Sequence, residues 1–292
     1  MTESHPFFYR LCVLASVLLF STGGLAIKAT PLDPLVIAGM RSLIAAAMLG
    51  LYFIARQDWG ALRIRGTAGA IAVAAYFLTV TGFVVATKWT TAANTIFLQS
   101  TMPIWVLIGG ALWLKERITF DRLASVIICM LGMSLFFFED VEPLQWKGNL
   151  VALGTGVAFA GVVLSFRYLR EGGALAVVVW GNALTALLVT PIGLWFDPPS
   201  GVALLSGEGW GPLLWLGVFQ VGLAYVCYTT ALRGLPAIEV ALISLVEPFL
   251  NPLWVYIGIG ETPSIQALIG GGMIMVVVTF RTLLGNRNNK GA

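Results

Sequence analysis

Ala86-Thr-Lys-Trp-Thr-Thr-Ala-Ala-Asn-Thr-Ile-Phe-Leu-Gln-Ser-Thr-Met-Pro103, running on to Lys115-Glu116, has a counterpart later in the chain. It is Ala231-Leu-Arg-Gly-Leu-Pro-Ala-Ile-Glu-Val-Ala-Leu-Ile-Ser-Leu-Val-Glu-Pro248, running on to Gly260-Glu261. A shift of 145 residues lays Ala86 on Ala231, Lys88 on Arg233, Pro103 on Pro248 and Glu116 on Glu261. Each copy has an apolar body, a proline in its middle and a carboxylate beyond its far end. A weaker correspondence, at a shift of 139, extends forward through Ser16/Thr155, Phe20/Phe159 and Lys28/Arg167. A repeat of this length governs the architecture and precedes any local reading.

Composition sets the class. Of 292 residues, 58% are hydrophobic and 11% charged, with a mean hydropathy of +0.89. Soluble domains carry about 25% charged residues, so the chain is built for lipid. The net charge of +3 is small and dispersed, which argues against a nucleic-acid partner. Cys12, Cys129 and Cys227 lie far apart, each inside an apolar run, without the clustered spacing of a disulfide framework or a metal site. They read as packing residues.

Taken in order, the chain offers ten apolar segments long enough to cross roughly 30 Å of hydrocarbon. They are 7–29, 34–54, 67–87, 91–112, 119–138, 148–168, 175–196, 210–231, 237–258 and 264–284. The first could be taken for a signal peptide, with Ser21 to Ala26 as a small-residue cleavage site. Its single basic residue, Arg10, and the need of the repeat for this helix argue against that. With the N-terminus cytoplasmic, thirteen Lys and Arg fall on the cytoplasmic side and three, Lys28, Lys88 and Lys147, on the other. This is a positive-inside bias. It predicts an all-α integral membrane protein with both termini in the cytoplasm. Five spans form each half, 1–140 and 141–292, and five is odd, so the halves enter the membrane from opposite sides. Inverted repeats of this kind characterise secondary transporters, which rock one half against the other around a midplane site.

The midplane residues follow from the repeat. Proline lacks an N–H and frees the carbonyl four residues earlier. Pro103 and Pro248 are therefore expected as hinges that release the carbonyls of Gln99 and Ser244, which could accept from a substrate ammonium. Glu247 is expected near the bilayer centre, where an ionisable group is a functional candidate by default. Spacing places Ser244, Glu247 and Asn251 on one helix face, which is expected to look into the cavity and not at lipid. Arg41, the cation set deepest among the apolar segments, is a candidate partner for Glu247. In the third segment Tyr76, Thr79, Val80 and Phe83 share a face. The repeat maps Val80 to Tyr225, Phe83 to Tyr228, Gln99 to Ser244 and Met102 to Glu247. With Phe20 and Phe159 from the first and sixth segments, these residues describe an amphipathic pocket whose rings stack a side chain or attract an ammonium. Trp59, Trp146, Trp210 and Trp254 lie near segment ends and read as an interface belt, Glu239 as an interfacial residue; Trp105 and Trp180 are open to either role.

Ten spans in a five-plus-five arrangement, Phe20-Ser-Thr-Gly-Gly, Arg41, Glu247-Pro248 and Glu116/Glu261 together resemble the drug/metabolite transporter superfamily. Within it the resemblance is to the EamA-like ten-helix exporters of the YddG type, which move amino acids, aromatic ones included. Many relatives have Trp where this chain has Phe20, so a stacking role there is weakened. The resemblance implies a multi-pass protein of the cytoplasmic (inner) membrane that exports amino acids and other neutral amphipathic solutes, as a monomer with an oligomer left open. A proton-coupled drug or metabolite exporter is the alternative in the same class, and a channel or scaffold the alternative outside it. No enzyme is expected and no cofactor. The single His5 lies in the N-terminal tail, no Asp/Glu/His cluster has metal-ligand spacing, and no Gly-rich phosphate loop follows a strand.

Overall fold

A computed structural model describes residues 6–57, 59–64, 66–113, 120–135, 143–169, 173–207, 209–231, 234–235, 243–244 and 246–288. Helices account for nearly all of them. In chain order they are α1 (Pro6–Ser21), α2 (Gly23–Ala29), α3 (Pro34–Arg56), α4 (Gly66–Trp89), α5 (Ala92–Gln99), α6 (Met102–Trp113), α7 (Phe120–Leu135), α8 (Pro143–Leu169), α9 (Ala174–Phe196), α10 (Pro198–Ser206), α11 (Trp210–Ala231), α12 (Glu247–Ile259) and α13 (Ile265–Asn288). Among the described residues, six stretches are long and apolar enough to cross a bilayer: Phe7–Ala29, Pro34–Arg56, Gly66–Trp89, Leu144–Ser165, Ala174–Phe196 and Trp210–Ala231. Arg117, Arg170, Arg233, Glu116 and Glu239 lie outside the described residues, as does most of 237–246.

The polarity of the bundle is that of a protein immersed in lipid. Leu51, Leu187, Ile265 and Val276 stand outward, while Arg41, Asn94, Asn149, Asn182, Gln220 and Asn251 are buried. An apolar exterior this extensive has no place in water. Apolar attraction between helices is weak in lipid, so close packing and internal hydrogen bonds must hold them. The α3–α9 crossing shows the packing. A Cβ on Gly39 would meet the Thr190 backbone at 2.7 Å, and one on Gly193 would meet Val36 N at 2.7 Å.

Helices from the first and second parts of the chain alternate in space. α4 packs on α8, α1 on α11, α3 on α9 and α11, α4 on α9, and α7 on α13. α5 and α6 lean on α8, as α12 leans on α1 and α2. The link at Pro198-Pro199 is itself helical: α10 starts with both prolines in its first turn, where their missing N–H groups are no loss.

At one end of the bundle the polar groups interlock. Lys28 Nζ lies 2.8 Å from Glu261 Oε2 and donates to Thr90 O at 2.7 Å. Glu261 Oε1 accepts from Ala92 N at 2.7 Å, and Lys88 Nζ donates to Thr30 O at 2.6 Å. Behind them Thr90 Oγ1 and Asn94 Nδ2 both donate to Asn149 Oδ1, at 2.7 and 3.1 Å. These contacts join α2, α4, α5, α8 and the turn after α12.

Candidate functional site

The prolines of the repeat do not kink continuous helices. Each stands second in a helix that restarts, Pro103 in α6 after an interruption at Ser100–Thr101 and Pro248 in α12 after one at Val246. A first-turn position leaves no hydrogen bond to lose, so the chain breaks before the proline instead of bending around it. Glu247 correspondingly opens α12 instead of lying in the middle of a continuous helix, and its carboxyl sits at the helix N-terminus. The freed groups are partly satisfied locally. Ser100 Oγ donates to Ile96 O and Thr101 Oγ1 to Leu98 O, while Trp105 Nε1 donates to Thr101 Oγ1 at 3.0 Å. The Gln99 carbonyl lies against Gly156 of α8, where a Cβ would stand 3.3 Å away, and so faces the neighbouring helix.

The same device breaks the first span. Ser21 Oγ and Thr22 Oγ1 donate back to Leu18 O and Leu19 O, between α1 and α2. Trp254 Nε1 then donates to Ser21 Oγ at 3.0 Å, and Trp215 Nε1 to Thr22 Oγ1 at 2.9 Å. Trp254 is thus a strut between α12 and α1, and not a belt residue as its place in the sequence suggested. Trp180 and Trp210 cap carbonyls of Leu62 and Leu204, and Trp146 is exposed. The side chain of Trp59 lies outside the described set.

Between these breaks lies a cavity of about 270 Å³. Its walls are Phe20 from α1, Arg41 from α3, Thr79, Val80 and Phe83 from α4, Ile96, Gln99, Ser100 and Met102 around the α5–α6 break, Phe159 and Val163 from α8, Gln220, Val221, Tyr225 and Tyr228 from α11, and Ser244, Glu247 and Pro248 at the α12 break. Ten of the eleven pocket residues named from the sequence are therefore brought together, with Pro248 beside them. The eleventh, Tyr76, is buried behind the wall. Asn182 Nδ2 donates to its hydroxyl at 3.0 Å, and its ring backs that of Tyr225 with centroids 5.7 Å apart. Asn251 shares the helix face of Glu247 but is packed against Gly24 instead of facing the cavity. The side chain of Pro103 lies outside the described set.

The rings form one wall. Phe20 meets Tyr225 edge-to-face with centroids 5.0 Å apart and Tyr228 at 6.2 Å. Gln99 Nε2 reaches Thr155 Oγ1 at 3.4 Å, which orients the amide toward α8. Gln220 was not foreseen. It belongs to a π-helical stretch, Trp215–Leu223, inside α11, and such wide turns are commonly retained where a function needs them. Its Oε1 lies 3.4 Å from Arg41 Nη1, while Arg41 Nη2 donates to Val80 O at 2.8 Å. Arg41 and Glu247 both line the cavity but are not in ion-pair contact, which corrects the pairing expected from sequence. Among the described residues, Glu247 makes no ion pair and no hydrogen bond.

The comparisons with known proteins agree with this architecture. The chain belongs to the EamA-like transporter family, whose sequence model matches it twice, over residues 8–138 and 146–283. It is similar to YwfM, an uncharacterised transporter of Bacillus subtilis (strain 168), with 29% identity over 92% of this chain and 91% of the relative. It is also similar to CntI, the pseudopaline exporter of Pseudomonas aeruginosa, with 26% identity over 76% of this chain and 75% of the relative. A protein crystal structure with 19% identity superposes with a TM-score of 0.61, covering 94% of this chain and 97% of the other, and shares its fold. The chain is a multi-pass membrane transporter.

Proposed function

We propose that this EamA-like transporter is a secondary carrier exporting amino acids, aromatic and other neutral ones, by alternating access around the cavity. In this reading ten spans form two inverted five-helix halves, 1–140 and 141–292, with both termini in the cytoplasm and the protein in the inner membrane, acting as a monomer and not as an enzyme. The doubled family match supports a duplication. So does the pattern of contacts: exchanging the halves turns α1–α11 into α8–α4, and α12 on α1 into α6 on α8. The relative named as an exporter supports the outward direction.

The observation that carries the proposal is the make-up of the cavity. Repeat partners Val80 and Tyr225, Phe83 and Tyr228, Gln99 and Ser244, and Met102 and Glu247 all line it, so each half supplies an equivalent wall. A site built this way can face either side when the halves rock. Its volume lies near the small end of binding pockets, roughly 300–1,000 Å³, which suits a single small solute with an apolar side chain and polar ends.

Counterflow in proteoliposomes tests the reading. Purified protein loaded with unlabelled amino acid is expected to accumulate the labelled form transiently, and a panel of amino acids then gives the substrate range. An open channel gives flux without accumulation. Failure of every amino acid in the panel to exchange would overturn the proposal. The second reading, proton-coupled export of a wider range of solutes, is favoured by Glu247 in the cavity wall, which has no partner among the described residues. It predicts that an imposed pH gradient drives uptake and that Glu247→Gln abolishes the drive while exchange persists.

A further inference from the structure

Among the described residues, the guanidinium of Arg41 has no acidic partner for its charge. It is 2% exposed and lines the cavity deep inside α3. Arginine presents five N–H donors and stays protonated at any working pH. Here Nη2 has one good acceptor, Val80 O, Nη1 has one distant acceptor in Gln220, and Nε has none. Both acceptors are neutral. Among the described residues no carboxylate pairs with Arg41; Glu261 is held by Lys28 at the end of the bundle, and Glu247 stands apart on another wall. A cation removed from water without a counter-charge is costly, and arginine cannot escape the cost by losing its proton.

We propose that Arg41 anchors the carboxylate of the amino acid carried, the ligand supplying the missing counter-charge. The planar fork of a guanidinium matches a carboxylate in a two-bond geometry that neutral polar groups do not reproduce. Gln220, presented by the wide turn of α11, and the Val80 carbonyl hold the guanidinium plane and leave its remaining donors to the substrate. The Glu247 carboxyl offers an acceptor to an ammonium, and Phe20, Tyr225 and Tyr228 take the side chain. The cavity is thus polarised to receive a zwitterion in one orientation. This inference rests on the amino-acid reading above and sharpens it, because it makes the free carboxylate obligatory.

Competition in the counterflow assay, with the full-length protein, tests it. Phenylalanine, phenylalanine amide and 3-phenylpropionate compete against a labelled amino acid. The amide, which lacks the carboxylate, is expected to compete about 10- to 100-fold more weakly than the acid in the wild type, the range of a charge-assisted pair. In Arg41→Gln the acid falls to the level of the amide and the ratio approaches one; in Arg41→Lys part of the discrimination returns. Equal competition by acid and amide in the wild type overturns the anchor while leaving amino-acid exchange standing. So does an Arg41→Gln protein in which both weaken in proportion, since that marks Arg41 as a strut between α3, α4 and α11. If Arg41→Gln does not fold, the wild-type ratio and Arg41→Lys decide the matter. Absence of exchange with any amino acid overturns the proposed function itself, and the anchor falls with it.

Discussion

Where α2, α4, α5 and the turn after α12 meet, Lys28, Lys88, Glu261, Thr90 and Asn149 each have a partner within 2.8 Å. In the cavity, Arg41 is half-used and Glu247 has no partner among the described residues. Both regions draw on the two parts of the chain, and both are largely screened from water. They differ in whether the protein completes its own hydrogen bonding. Completed networks rigidify and specify one arrangement; incomplete ones leave donors and acceptors that water or a ligand can fill. The bundle end therefore stabilises a conformation, and the cavity leaves open the valences that the proposed function assigns to a solute.

Substitutions should separate the two regions, and the largest effect is expected at Glu247. Glu247→Gln removes an acid that has no partner among the described residues, so counterflow should fall at least about tenfold, a loss of roughly 1.4 kcal/mol or more, while the melting temperature stays level or rises. A fall in stability instead would mean that Glu247 is as structural as Glu261. Glu261→Ala should do the reverse. It strands the Ala92 N–H and the Lys28 ammonium, which costs about 1–3 kcal/mol, read as a drop in melting temperature with exchange well below the transition largely kept. A collapse of exchange at unchanged stability would merge the two regions into one machine. Next come the rings. Tyr225→Ala and Tyr228→Ala should shift the preference between aromatic and aliphatic competitors by about 3- to 10-fold, in line with ring-pair energies of roughly 0.5–1.5 kcal/mol, with surface expression little changed. Purely reduced expression would assign these tyrosines to packing. The smallest effect is Trp254→Phe, which loses one hydrogen bond to Ser21 and about 1 kcal/mol of stability, measured by thermal unfolding, without altering substrate preference.

Much of this arrangement was readable from residue order, for reasons that also explain the misses. Apolar runs of span length must be helical because lipid offers no other partner for the backbone, and helices occur in all ten segments. The repeat register then carried wall residues from one copy of the repeated stretch to the other. Tyr76 and Asn251 were misplaced because a helix face runs farther than the cavity does. Tyr76 lies seven residues, about 10 Å, from Phe83, and Asn251 lies four residues, about 6 Å, beyond Glu247. Periodicity gives direction around a helix axis but not depth along it. The helix breaks were read as kinks because the proline rule alone does not distinguish a bent helix from a restarted one; Ser21-Thr22 and Ser100-Thr101, whose hydroxyls bond back to the preceding turn, make that distinction. Lys28 and Glu261 are 233 residues apart, so nothing local announces their pairing.

The wide turn of α11 has a mechanical consequence. Its counterpart at a shift of 145, residues 70–78 of α4, is an ordinary α-helix, so segments matched by the repeat are wound differently. An α-helix advances about 100° per residue. Rewinding the wide turn as an α-helix without removing a residue would swivel Tyr225 and Tyr228 by roughly that angle and turn the aromatic wall away from the cavity, whereas deleting one residue from the stretch would restore an ordinary α-turn and leave their direction nearly unchanged. The azimuth of those two rings is therefore set upstream, by the winding of Trp215–Leu223, and that stretch behaves as an adjusting screw for the pocket.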